Sequence, residues 1–517
     1  MGITKQRFGV GHFVRAAVLG SVALALAGPA AMSTAAAATT SIVTTGDTFP
    51  RLGMISTAGP QRYASAFQTY AAKFHVVIIN GSFEGWERGA GYSKEKVVSS
   101  IKSQSFVDTR VFQYVGLNEL YNSSYASSNG FPTWYKQVNA RNWWLHPVGT
   151  SGTPVTDPQS AQKWLVNMGP NVPVDPTTSL GPYGWAAKYV DDLFHLGRYS
   201  GTSAAPSLDG FFLDNVLIDP SNGMGNYANG DWLRNGTTQA HNAATTYAAL
   251  MNGQKEFYTY LQSAWPGSTQ LGNAGGTFAL AASNYYSATS PTLNSQLMAA
   301  TSSLSGVVHG GTVEHAIGRS YSIEYYGGSA ALQQWYRTAI NNFGGAKLLI
   351  LNQAAVQSNG SDPVKFVSGQ PSAYSPAWQG MRYGLTAALM NNGYYAADNG
   401  IYDGETVANR RWFDEFDNAG RGAGYLGHAI ASAAGNPQTG AWSNGVWMRE
   451  FQYGVVLWNP KGNGVRTVNV SGLVSPNGHT GLKHLAGTQD PTVNNGQAAA
   501  TVTLQDRDGV ILLWTAP

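Results

Sequence analysis

The chain has 517 residues, a formal net charge of +3, only 11% charged residues, 62 glycines, 15 tryptophans, 27 tyrosines and no cysteine. The absence of cysteine excludes disulfides, thiolate nucleophiles and cysteine-based metal sites, and a chain of this length has core enough to fold without covalent staples. Nothing in it forms the dense Lys/Arg face that a nucleic-acid or anionic-membrane partner requires; a surface rich in uncharged hydrogen-bonding groups and rings suits neutral, polyhydroxylated ligands, and equally serves the solubility of an exported protein.

At the amino end, Lys5, Arg7 and Arg15 precede an uncharged run from Ala16 to Ala27 and then small residues through Ala38. This order reads as a secretory signal peptide over residues 1–38, with an Ala36-x-Ala38 cleavage site before Thr39. The apolar run falls short of the roughly 20 residues that span a bilayer. The expected product is secreted or periplasmic, with no membrane insertion and no nucleic-acid partner. The three basic leader residues account for the whole net charge, so the mature chain is near neutral.

From Arg51 to Asp398, short β-rich apolar runs alternate with longer helical stretches, the rhythm of βα units. The predicted strands are Leu52–Ser56, Val76–Asn80, Val111–Val115, Gly210–Asp214, Gln270–Asn273, Val307–His309, Lys347–Leu351 and Tyr394–Ala397. Predicted helices include Gln61–Lys73, Lys94–Ser103, Thr238–Ala264, Ala330–Asn342 and Trp378–Asn391. Eight such units predict an α/β chain, a (β/α)8 TIM barrel over residues 39–435. A long insertion at 117–207, carrying Trp134, Trp143, Trp144, Trp164 and Trp185, reads as a cleft wall or as a small core of its own. Beyond it, residues 436–517 alternate as antiparallel strands and predict a β-sandwich, with Trp447, Trp458 and Trp514 expected in packing rather than as a glycan platform.

Catalytic groups of a barrel gather at the carboxyl ends of its strands. The run Asp209-Gly-Phe-Phe-Leu-Asp214-Asn215 has a buried middle and delivers Asp214 where strand four emerges; capping the next helix is its alternative use. Cleavage of a glycosidic bond needs two carboxyl groups, one to protonate the leaving oxygen and one to act as nucleophile or base. Glu314, in the run Val307-Val-His-Gly-Gly-Thr-Val-Glu314-His315 at strand six, is the expected partner. Glu84, Glu119, Glu324 and Asp398 are further acids near strand ends, any of which could take the place of Glu314; for Glu119 and Glu324 a solvated or structural role is the simpler reading. The expected substrate-binding set is Glu84, Glu119, Asn215, Asn273, His309, His315, Asn352, Asp398, Trp143 and Trp144. Asp414, Glu415 and Asp417 read as an anchor for a loop or domain interface. No H-x-x-x-H helix pattern accompanies the histidines and no G-x-S-x-G elbow follows a strand, so no metal, cofactor or serine nucleophile is expected.

The run ending in Asp214 resembles the fourth-strand signature of endo-α-1,4-polygalactosaminidase-like barrels. Leu385-Thr-Ala-Ala-Leu-Met-Asn-Asn-Gly-Tyr-Tyr, with Trp412-Phe-Asp-Glu-Phe and Gly424-Tyr-Leu-Gly, resembles hypothetical glycosyl hydrolase family 15. The resemblance spans most of the mature chain and implies a glycosidase whose catalytic pair falls on Asp214 and Glu314. Long insertions separate this chain from those relatives, and the sugar does not carry over. A glycoside hydrolase acting on a poly- or oligosaccharide, as a monomer or small homo-oligomer, is the reading the sequence favours. The alternatives are a carbohydrate-binding or polysaccharide-assembly protein on a barrel scaffold, and a transglycosylase.

Overall fold

A computed structural model describes residues 41–42, 47–56, 60–80, 93–122, 132–150, 152–157, 160–169, 171–199, 202–214, 230–239, 244–273, 304, 306–318, 322–353, 356–357, 365–366, 378–397, 412–431, 440–475 and 477–515. Eight parallel strands form one sheet: β1 (Gly53–Ser56), β2 (Val76–Asn80), β3 (Arg110–Val115), β4 (Gly210–Leu213), β5 (Leu271–Gly272), β6 (Gly310–Ile317), β7 (Leu348–Gln353) and β8 (Tyr394–Ala397), each hydrogen-bonded to the next in sequence. The sheet closes on itself, because Leu52 bridges Tyr395 in parallel and Tyr395 N donates to Arg51 O (2.9 Å). The strands are apolar on both faces, as a sheet covered by helices requires. Val76, Ile78, Phe112, Phe212, Leu271, Leu348 and Ile350 fill the lumen, while Val77, Ile79, Val111, Phe211, Leu213, Leu349 and Leu351 pack outward.

The helices around the barrel are α1 (Ser65–Ala71), α2 (Lys94–Ser103), α3 (Pro132–Ala140) and α4 (Pro182–Val190) in the insertion, then α5 (Ala244–Ala264), α6 (Ile323–Asn342) and α7 (Trp378–Leu389). The α2 helix shows the local logic: the Ser93 hydroxyl accepts from Lys96 N (3.1 Å), Glu95 and Lys102 complement the helix dipole, and Val97, Val98 and Ile101 are buried. The α4 helix lacks a side-chain cap of its own, and Glu256 of α5 accepts the Gly181 N–H instead (3.1 Å).

Strand six is a correction to the sequence reading. It runs Gly310–Ile317, not Val307–His309. Val308 is buried at the entry, and the Gly310-Gly311 pair begins the strand because a Cβ on Gly311 would fall 2.0 Å from Gly272 O.

The insertion builds a three-stranded antiparallel sheet from Glu119–Tyr121, Ser160–Leu165 and Thr156–Asp157. Its indoles form an interior: Trp134 stacks on Trp185 (5.4 Å between centroids) and meets Trp143 at 5.8 Å.

The carboxyl-terminal region is an antiparallel sandwich. A five-stranded sheet contains β9 (Trp447–Phe451), β10 (Gly454–Asn459), β12 (Leu482–His484), β13 (Ala498–Ala499) and β15 (Asp508–Trp514); β11 (Arg466–Asn469) and β14 (Thr501–Leu504) form a separate pair. One face holds Met448, Val455, Leu457, Val468, Val502, Leu512 and Trp514 in the sandwich core. The other, with Trp447, Val456, Trp458 and Ile511, joins the barrel core against α7. The approach is close enough that a Cβ on Gly509 would meet Thr386 Oγ1 at 2.0 Å. Arg382 of α7 is buried at this seam, bonded to Asp490 (2.6 Å) and Asp508 (3.3 Å), with Glu415 at 3.9 Å. Asp414 and Glu415 anchor the same seam, through Thr488 N (2.6 Å) and Asn494 Nδ2 (2.8 Å) respectively. No helix among the described residues is long and apolar enough to cross a membrane.

Candidate active site

Two aspartates bracket β4 and do different work. Asp209, at the amino end, accepts from Val111 N (2.7 Å) and Lys102 Nζ (2.9 Å), which ties the strand to its neighbour and to α2. The four residues Gly210–Leu213 are buried, and Asp214 follows them half-buried at the carboxyl end, where a barrel keeps its chemistry. Its main-chain N–H donates to Val115 O (2.8 Å), extending the β3 ladder by one step.

Three neighbouring strands converge on that carboxylate. Tyr114 of β3 donates its hydroxyl to Asp214 Oδ2, and Asn273, just past β5, donates Nδ2 to Asp214 Oδ1 (3.0 Å). Tyr114 is fixed by stacking on Phe212 (5.7 Å, 28°), and Asn273 by its own N–H to Leu213 O (2.9 Å). Asn273 is therefore brought to Asp214. Tyr114 was not foreseen: in sequence, a tyrosine inside an apolar strand is indistinguishable from a packing residue.

The main chain of Glu314 lies within β6, and the side chains of Glu314 and His315 fall outside the described residues, as do Glu84, Asn215 and Asp398. Strand register still fixes a level. Leu213 and Gly311 both pair with Gly272, so Asp214 stands one residue past that level and Glu314 three. Along β6 the register to β7 then shifts between Val313 and Ile317, the stretch that carries Glu314. Asn352 is buried on β7, two residues beyond the lumen residue Ile350 and paired in register with Ala396.

Three expected binding residues lie elsewhere. His309 precedes β6 at the amino end of the barrel, its ring beside Gln270 N (3.1 Å) and Gln262 Nε2 (3.2 Å), opposite the mouth. Trp143 and Trp144 are 0% and 3% exposed, and Trp143 Nε1 donates to Pro173 O (2.6 Å), so their rings serve the core of the insertion. These positions correct the expectation of contact with substrate.

Glu119 lies beyond β3 in the insertion sheet, paired with Lys163 (2.6 Å). Burial and a hydrogen bond shared with Asp157 push its carboxyl up to about 7, against the pull of Lys163. Glu324, in contrast, is buried where α6 and α7 meet the sandwich, bonded by the Tyr383 hydroxyl, and belongs to that seam.

No family model and no curated protein matches the chain. Among solved structures it is similar to the glycoside hydrolase domain of PelA from Pseudomonas aeruginosa, at 12% identity and a TM-score of 0.32, covering 60% of this chain and 85% of that one. It is also similar to Amy13B of Eubacterium rectale, at 9% identity and a TM-score of 0.45 over 92% and 97% of the two chains. A third is the glycoside hydrolase family 30 subfamily 8 xylanase Xyn30A of Clostridium acetobutylicum, at 14% identity and a TM-score of 0.37 over 91% and 97%. These overlaps are too loose to carry an activity across.

Proposed function

We propose that the chain is an exported glycoside hydrolase that cleaves O-glycosyl bonds of a poly- or oligosaccharide with Asp214 and Glu314, in the manner of the polygalactosaminidase-like barrels. In this reading residues 1–38 are a cleaved leader, 39–435 the catalytic barrel and 436–517 a bracing sandwich. The observation that carries it is Asp214: a carboxylate at the carboxyl end of a barrel strand, accepting hydrogen bonds on both oxygens. A group held as a double acceptor from a hydroxyl and an amide serves as nucleophile or as base for water. The acid that protonates the leaving oxygen is then the other member, Glu314. Asn273 and Asn352, with Asn215, Glu84, Asp398 and His315, are the proposed contacts to sugar hydroxyls. Carboxyl groups about 5 Å apart would give retention of anomeric configuration, and about 6.5–9.5 Å inversion.

Glu119 supports a second assignment of the acid, because a carboxyl pushed up to about 7 holds its proton near neutral pH. Substrates with different leaving groups separate the two. The purified mature protein is screened against bacterial exopolysaccharides and plant and fungal glycans, with reducing-end products read by mass spectrometry. Asp214→Asn is expected to abolish product release while binding persists. Whichever of Glu314→Gln and Glu119→Gln loses natural glycan but keeps 4-nitrophenyl glycosides, whose leaving group needs no proton, identifies the acid. Wild-type turnover by Asp214→Asn would overturn the reading; a wild type that binds glycan and releases nothing would establish a binding protein.

A further inference from the structure

We propose that Tyr114 and Asn273 are positioning residues that fix the plane of the Asp214 carboxylate at the barrel mouth; this deepens, and rests on, the reading of Asp214 as a reacting group. Among the described residues each oxygen has one donor: the Tyr114 hydroxyl on Oδ2, and the Asn273 amide on Oδ1 at 3.0 Å. One donor alone would leave the group free to turn about χ2, whereas a donor on each oxygen sets its orientation. The donors are themselves held, Tyr114 by its strand and the stack on Phe212, Asn273 by its main-chain bond to Leu213 O (2.9 Å). The clamp is therefore assembled by β3 and by the residues that directly follow β4 and β5, each tied to the neighbouring strand by its main chain, which is how a site keeps a narrow tolerance.

The chemistry of the donors matters as much as their number. Both are neutral, so they orient the carboxylate without cancelling the charge that makes it a nucleophile or base. A lysine or arginine in either place would hold it more strongly and oppose loss of that charge as a bond forms to the anomeric carbon. Neutral donors give way at a smaller cost in that step.

The test uses Tyr114→Phe, which removes one oxygen atom and keeps the ring stack, and Asn273→Ala. Turnover is measured on the glycan that the screen identifies, and crystal structures of wild type and both variants are compared. The expected result is a fall in kcat of about 10–100-fold for both variants, with KM within about three-fold and unchanged thermal unfolding for Tyr114→Phe, and a rotated Asp214 carboxylate. The double variant loses less than the product of the single losses, because both act on one group. A purely packing role for Tyr114 predicts wild-type kcat for the phenylalanine variant. That outcome, with Asp214 unmoved, overturns the proposal. Wild-type turnover by Asp214→Asn, or no product from wild type, removes the catalytic reading instead, and the crystal structures then decide the clamp by themselves.

Discussion

Replacing Glu324 by glutamine should change the pH dependence of stability, and its size follows from the seam between barrel and sandwich. Glu324 is 5% exposed, takes a hydrogen bond from the Tyr383 hydroxyl, and Tyr383 in turn accepts from Lys461 N (3.3 Å). Burial raises its carboxyl from 4.5 to about 7, although Lys461, Arg507 and the Gly318 N–H pull the other way. A carboxyl raised in the folded state contributes stability that is complete below its unfolded value and is lost as pH rises through the folded one. The window is therefore about pH 4.5 to 7. At about 1.36 kcal/mol per pH unit, the loss amounts to about 3 kcal/mol. Glutamine does not titrate, so the stability difference between Glu324→Gln and wild type should move by about 3 kcal/mol in favour of the variant between pH 4 and pH 8. All other titrations cancel in this comparison. Urea unfolding at both pH values measures it, and an unchanged difference would refute the assignment of burial as the dominant cause.

Two further substitutions test the packing. Trp458 is fully buried between Trp447 and Tyr383, with ring centroids at 5.9 Å from each, so Trp458→Ala should cost about 3–5 kcal/mol in thermal or urea unfolding. Lost polysaccharide retention at unchanged stability would make the sandwich a glycan platform instead. Asp47 takes two hydrogen bonds from Arg110 Nη2 (2.9 and 2.8 Å) and one from the Tyr394 hydroxyl (2.5 Å) at the barrel base, so Asp47→Ala should cost about 1–3 kcal/mol. Because the base is remote from the mouth, kcat at permissive temperature should stay at the wild-type value. A shifted kcat would show that the two ends of the barrel are coupled.

Seven of the eight strands were visible in the sequence because a parallel sheet buried on both faces concentrates β-branched and aromatic residues into short runs between polar stretches. Strand six slipped because Gly310 and Gly311 look like a turn; their true reason is the flanking backbone, Leu348 of β7 beside Gly310 and Gly272 of β5 beside Gly311, which leaves no room for a side chain, and only tertiary structure reveals it. Asp214 was legible since an acid closing an apolar strand breaks the local pattern. Tyr114 was not, because its ring packs like its neighbours and only its hydroxyl reaches the site. Trp143 and Trp144 misled for the converse reason: an indole-rich insertion reads alike whether its rings face a sugar or one another, and here they are buried against other rings, tilted or edge-on.

The stitch at the barrel base ties Ser41, Ile42 and Asp47 to segments made much later. Ser41 and Ile42 pair with Ala431 and Ile430, and the Tyr394 hydroxyl reaches Asp47 across 347 positions. A ribosome delivers Asp47 long before either partner exists, so the first segment has nothing to close against until nearly the whole barrel has been synthesised. Contacts this distant in sequence slow folding. The same contact that steadies the finished molecule thus acts as a timer on its assembly.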